Sequence, residues 1–171
     1  MSVIAPLATI AVGVVVERSK SASKWTDYYW RPVSVLAGVP DTEAWTKLAD
    51  DGDRVTFYAG PAVIELYRTE APYYRANLES GSPALWVALR AAEGDPPYRV
   101  ATVTADPAEG EALTETATDL IEQVSMPEPI QKVLADFVAR HHVEAPFVKR
   151  KRDRADPEAL GRRAPPKKDR K

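Results

Sequence analysis

Past Phe147 the chain stops offering anything to bury. Across residues 148–171 only Val148, Leu160 and scattered Ala are apolar. From Lys149 to the end, eleven Lys/Arg stand against four Asp/Glu, a net of +7. Such a stretch cannot remove enough apolar surface from water to offset the entropy of ordering it, so residues 148–171 are expected to form a largely disordered basic tail. Any fold is confined to residues 1–147, which suit one ordinary domain and not two. The whole chain carries −2, so residues 1–148 carry −9. The primary division is therefore an acidic domain with a basic arm.

Within the domain, β-branched runs and turn residues predict mostly strands. Residues 1–16 are uncharged, but they lack a basic start, and Pro6 interrupts the run. Val12 and Val14-Val15-Val16 suit a pleated surface, so residues 8–18 are read as a first strand and not as a targeting segment. A polar turn is expected over residues 19–23, an aromatic stretch follows, and a second strand is expected over residues 32–37. Asp50-Asp51-Gly52-Asp53 between two β-prone runs is a hairpin signal, because Asp and Gly tolerate positive φ. Gly60-Pro61 is expected to turn the chain before another strand over residues 62–68. Strands are also expected over residues 85–91 and 98–105.

Three segments read as helices. Thr69 can cap a short helix near residues 70–79. Asp106-Pro107-Ala108-Glu109 has the residue order of a helix start. Leu113, Ala117, Leu120, Ile121 and Val124 continue it at helical spacing, although Gly110 and three Thr weaken it. After Pro127, an apolar stripe of Ile130, Leu134, Phe137, Val138 and His141 predicts a helix over residues 128–142 that covers a sheet face. The expected class is α+β: a mainly antiparallel sheet or partly open barrel of about six or seven strands, with two or three helices.

Catalytic signals are sparse. Without Cys there is no disulfide, thiolate metal site or iron–sulfur cluster. The only two His are adjacent, and neighbours on a helix point about 100° apart, so one ion cannot use both. His141 is expected to pack and His142 to be solvated at the helix end. No Gly-x-Ser-x-Gly elbow is present, and Ser19–Lys24 has no glycine frame for a phosphate. Leu36-Ala37-Gly38 resembles the opening of the loop in transferases that attach GMP to molybdopterin. Val39 replaces its second Gly, and its later Arg, Met-Gly and Lys are missing. No catalytic residue, metal or cofactor is expected.

Binding is better supported. Aromatics flanked by polar residues serve docking surfaces, although most aromatics in a small β domain fill the core. The expected partner-binding residues are Trp25, Tyr28, Trp30, His142, Phe147, Lys149, Arg150, Lys151 and Arg152. The tail could take a protein or a nucleic acid, but no aromatic beyond Phe147 interleaves its charges for base stacking.

Three stretches together resemble a known family. They are Trp25 through Trp30-Arg31-Pro32-Val33, then Thr104 through Ala112, then His141-His142-Val143-Glu144-Ala145-Pro146-Phe147-Val148 followed by Lys149 to Arg152. The family is an uncharacterised proteobacterial domain of unknown function, and the resemblance covers most of residues 8–165. Its members are encoded near molybdenum-dependent formate dehydrogenases, their chaperones and iron–sulfur proteins. Some carry a molybdopterin-guanine-dinucleotide biosynthesis label, which the incomplete loop at Leu36 does not support. The resemblance implies a cytoplasmic, non-enzymatic accessory protein that binds a formate dehydrogenase subunit or its chaperone. It transfers no catalytic residues. The alternatives are nucleic-acid binding through the tail and a role in molybdopterin-nucleotide binding or transfer.

Overall fold

The computed structural model describes residues 3–143. The expected disordered tail and the expected partner contacts at Phe147 and Lys149 to Arg152 lie outside the described residues. The chain forms two antiparallel sheets and three α-helices, with no closed barrel. The first sheet holds β1 (Ala8–Lys20), β2 (Tyr28–Ala37), β3 (Thr46–Asp50) and β4 (Arg54–Leu66), in the order β2-β1-β4-β3. After a single 3-10 turn (Arg68–Glu70) come α1 (Ala71–Leu78), β5 (Ala84–Ala91), β6 (Tyr98–Thr104), α2 (Pro107–Glu115), β7 (Asp119–Ser125) and α3 (Glu128–His141). The second sheet has the order β6-β5-β7. β2 lies beside β7, and β4 beside β6, with no ladder across either seam.

One core joins both sheets to the helices. Val12, Val14 and Val16 alternate along β1 and are fully buried, as the period of two requires. They meet Ile64 and Leu66 of β4, Leu85, Val87 and Leu89 of β5, and Ile130, Leu134 and Phe137 of α3. The stripe read on α3 is thus the face it buries. Asn77, at the end of α1, ties the layers together. Its Nδ2 donates to Ala84 O and Ala105 O, each at 2.8 Å, and its Oδ1 accepts from Ala84 N at 3.0 Å.

The Asp50–Asp53 hairpin forms as expected, with Gly52 at φ 84° and Asp51 N donating to Arg54 O. Asp106 caps α2 by accepting from Ala108 N at 2.8 Å.

Four expectations need correction. Gly60-Pro61 does not turn the chain: β4 runs straight through to Leu66, and the irregularity is absorbed as a bulge opposite Val14/Val15. Pro61 is tolerated because β3 ladders only with residues 55–58, so the missing N–H breaks no bond on that side. β2 begins at Tyr28, not Pro32, and β1 continues to Lys20. Pro32 sits at a bulge on an edge strand, where a missing donor costs little. Glu70 and not Thr69 occupies the cap position of α1, with no side-chain capping bond.

The last correction is the largest. Residues 119–125 form β7 against β5 and do not extend α2. Thr114 donates to Gly110 O and Glu111 O, and Thr116 donates to Leu113 O, which closes the helix early. Ala117 then reverses the chain at φ 53°, and Arg90 fixes the new strand by donating two hydrogen bonds to the Asp119 carboxylate, both 2.9 Å.

Candidate functional site

The row Val12-Val14-Val16 on β1 ends in Arg18, at the open end of the core. Here the layers turn aromatic. Trp30 of β2 stacks on Phe57 of β4 at 5.8 Å and meets Tyr98 of the second sheet at 6.1 Å. Trp45 sets its ring edge-on to Trp30 at 6.0 Å. To do so it holds φ 65°, a left-handed backbone that bulky residues rarely adopt. The Arg18 guanidinium covers this group, 4.4 Å from the Tyr28 ring centre, 5.5 Å from Phe57 and 5.7 Å from Trp30.

Above that end stands the loop joining β1 to β2. Short bonds set its shape: Ser21 N donates to Asp27 O, Ser23 N to Ser21 Oγ, and Trp25 N to Ser23 Oγ. The loop carries Trp25 at its tip, 96% exposed. Tyr28 and Tyr29 follow at 41% and 55%. Of the aromatics expected to meet a partner, Trp25 and Tyr28 therefore lie open. Trp30 is half-buried in the aromatic layer below, where it supports Tyr28 through Arg18.

His142 lies away from this group, at the far end of α3. It is half-buried instead of solvated. Arg75 Nη1 donates to its Nε2 at 3.0 Å while Arg75 Nε holds Glu79 at 2.9 Å. An arginine has only donors, so the imidazole proton sits on Nδ1, which is buried without a partner among the described residues. His141 packs its ring on Phe137, centres 4.6 Å apart.

A second concave feature lies where β4 passes β6. This cleft of about 260 Å³ is lined by Val63, Glu65, Tyr67, Thr104 and Glu109, among others. Its polar groups are paired internally: Tyr67 Oη donates to Glu65 at 2.6 Å, and Thr104 Oγ1 donates to Glu109 at 2.6 Å. The Glu65 carboxylate holds the Tyr67 hydroxyl above its ordinary range. Behind it, burial, then hydrogen bonding with Asp106 and its charge, raises the Glu70 carboxyl. Burial pushes Tyr74 up to about 12; its Oη accepts from Tyr67 N at 3.1 Å. No group of three or more His, Asp or Glu among the described residues is placed to hold a metal ion.

The loop at Leu36, Ala37 and Gly38 lines a shallow depression with Val39 and Pro40. Gly38, at φ 99°, serves a turn after β2, not the start of a helix, so no helix N-terminus faces it. No described helix is long and apolar enough to cross a membrane.

Sequence reasoning missed Arg18, Phe57 and Tyr98. Arg18 was legible: it follows Val12, Val14 and Val16 at the strand period, so a cation ends an inward-facing row. The meeting with Tyr98 depends on how the two sheets pack, which no local pattern encodes.

This chain belongs to the family described as "Protein of unknown function (DUF3305)", which it matches over residues 11–151. The match takes in the aromatic hairpin, both seams between the sheets, and α3. Comparison with curated proteins and with solved structures gives no match.

Proposed function

We propose that this chain is a non-enzymatic accessory protein that binds a partner protein through the β1–β2 hairpin. The observation that carries the reading is Trp25, almost wholly exposed on a loop whose own hydrogen bonds hold its shape. Water does not favour a large apolar ring at a loop tip, while a partner's pocket does, and Trp and Tyr dominate the energetics of such contacts. Tyr28 and Tyr29 widen the apolar area beside it. The layer of Arg18, Trp30 and Phe57 below stiffens it, which lowers the entropy lost on docking.

The partner is proposed to be a subunit of a molybdenum-dependent formate dehydrogenase, or its chaperone, during assembly or regulation in the cytoplasm. Support comes from the sequence resemblance around Trp25, Thr104 and His141. The test is affinity capture of the full chain from cells expressing its native operon. Recovery of such a subunit or chaperone, reduced at least tenfold by Trp25→Ala with Tyr29→Ala, is expected. Capture of neither, or capture indifferent to both substitutions, contradicts the reading.

A second reading rests on the charge of residues 149–171. Nucleic-acid binding there would weaken steeply with salt and vanish on truncation after Phe147. Binding that ignores salt excludes it.

A further inference from the structure

Arg18 has an unusual position for a cation. It is half-buried and held by three rings, yet no carboxylate or carbonyl bonds it among the described residues: nearby Asp50 feels its charge but is bonded to Lys47 at 2.9 Å. Contact with ring faces fixes the guanidinium without using its N–H donors on an oxygen. Other arginines differ. Arg31 pairs with Glu17, Arg75 with Glu79 and Arg90 with Asp119. Arg54, Arg68, Arg99 and Arg140 also lack such partners, but they are exposed and water satisfies them. Among the described arginines, Arg18 alone combines a fixed position with donors that no carboxylate or carbonyl takes, and it lies directly under the exposed Tyr28.

The charge around it points the same way. Residues 17–31 hold Arg18, Lys20, Lys24 and Arg31 against Glu17 and Asp27, and Glu17 is taken by Arg31. That is a third of the twelve Lys/Arg in residues 1–148, which together carry −9. Lys20 and Lys24 are exposed and make no ion pair among the described residues. The β1–β2 hairpin therefore sets three cations without ion pairs among the described residues, Arg18, Lys20 and Lys24, beside exposed aromatics, on a domain that is acidic as a whole.

We infer that the hairpin docks an acidic peptide segment of the partner, one of whose carboxylates takes the free edge of Arg18 while a neighbouring apolar side chain lies on Trp25 and Tyr29. This rests on the docking reading above and names the chemistry of what docks. A guanidinium fork matches a carboxylate with two parallel N–H bonds. A nucleic acid fits less well. Asp51 and Asp53 stand at the same end, since Lys20 N bonds Asp53 O at 2.9 Å, and their repulsion grows with the charge of what approaches, so a segment with one or two carboxylates is tolerated where a dense polyanion is not. The Tyr28 face that would stack a base is already covered by Arg18.

The test titrates the full chain with acetyl-Leu-Glu-Glu-Leu amide, with its Gln-Gln isostere and with a short oligothymidylate. The readouts are the Arg18 Nε–H resonance and tryptophan fluorescence. The Glu peptide is expected to shift that resonance and to bind roughly tenfold more tightly than the isostere, as a charge-assisted bond allows. Arg18→Gln should erase the difference. Arg18→Lys, which keeps the cation over the rings but lacks the fork, should retain only part of it with the melting temperature preserved. Equal affinity for the two peptides, a silent Arg18 resonance, or an Arg18 response to oligothymidylate alone overturns the inference. Equal peptide binding that still needs Trp25 leaves docking intact and removes only its acidic partner. Cell capture indifferent to Trp25→Ala removes docking itself.

Discussion

Gly110→Ala reverses the usual sign of a glycine substitution in a helix. Gly110 lies inside α2 at an ordinary helical φ, where Ala should gain about 1 kcal/mol from propensity alone. The packing forbids it. A methyl carbon on Gly110 would overlap Cγ, Cδ1 and Cδ2 of Trp86 on the central strand β5, an ångström or more inside the ordinary carbon contact of about 3.5 Å. Those atoms are the root of the ring, not a tip that can swing aside, so α2 must lift or Trp86 must leave its rotamer. Overpacking of this kind costs about 1–3 kcal/mol, and three simultaneous overlaps place it at the upper end. The net expectation is a loss of about 2 kcal/mol. For a domain of this size that lowers Tm by roughly 6 °C. Urea unfolding should show a reduced midpoint at unchanged slope. In a Trp86→Ala background the same substitution should turn neutral or stabilising, by up to about 1 kcal/mol. A Gly110→Ala protein as stable as the parent, or more stable, refutes the reasoning.

Two polar groups withdrawn from water, Asn77 wholly and Glu70 in part, allow further tests. Asn77→Leu strands the N–H and carbonyl of Ala84 and the carbonyl of Ala105, so it should cost about 3 kcal/mol or more in urea unfolding; a loss under about 1 kcal/mol would mean that these groups find water. Glu70, whose carboxyl is raised by burial and by Asp106, binds its proton more tightly folded than unfolded. Its contribution is therefore full below the ordinary glutamate value and is lost as pH rises through the raised one. Glu70→Gln should stabilise the protein at pH 7 and flatten that part of the stability profile; an unchanged profile would mean that the folded protein does not raise the Glu70 carboxyl.

Local chemistry made much of the fold legible. Turn residues at Asp50–Asp53, the cap at Asp106 and the stripe on α3 each act within a few residues, so spacing alone exposes them. Failures arose where a tertiary neighbour decides. Leu120, Ile121 and Val124 fit a helix or a strand equally, and only the edge of β5 with Arg90 selects the strand. Gly60-Pro61 reads as a turn until β1 is alongside to absorb a bulge. The site divided in the same way. Trp25 and Tyr28 sit in polar sequence and were readable as surface residues. Trp30 shares that sequence, but Phe57 and Trp45 draw it inward. His142 looked solvated because its partner, Arg75, lies 67 residues away.

The most direct test of hairpin docking replaces Trp25 with a photo-crosslinking phenylalanine analogue in cells expressing the native operon. Val133, also exposed but on α3, serves as the control position. Irradiation should yield an adduct from position 25 that mass spectrometry identifies as a molybdoenzyme subunit or its chaperone, and none from position 133. No adduct at position 25, or the same adduct at both positions, contradicts docking at the hairpin.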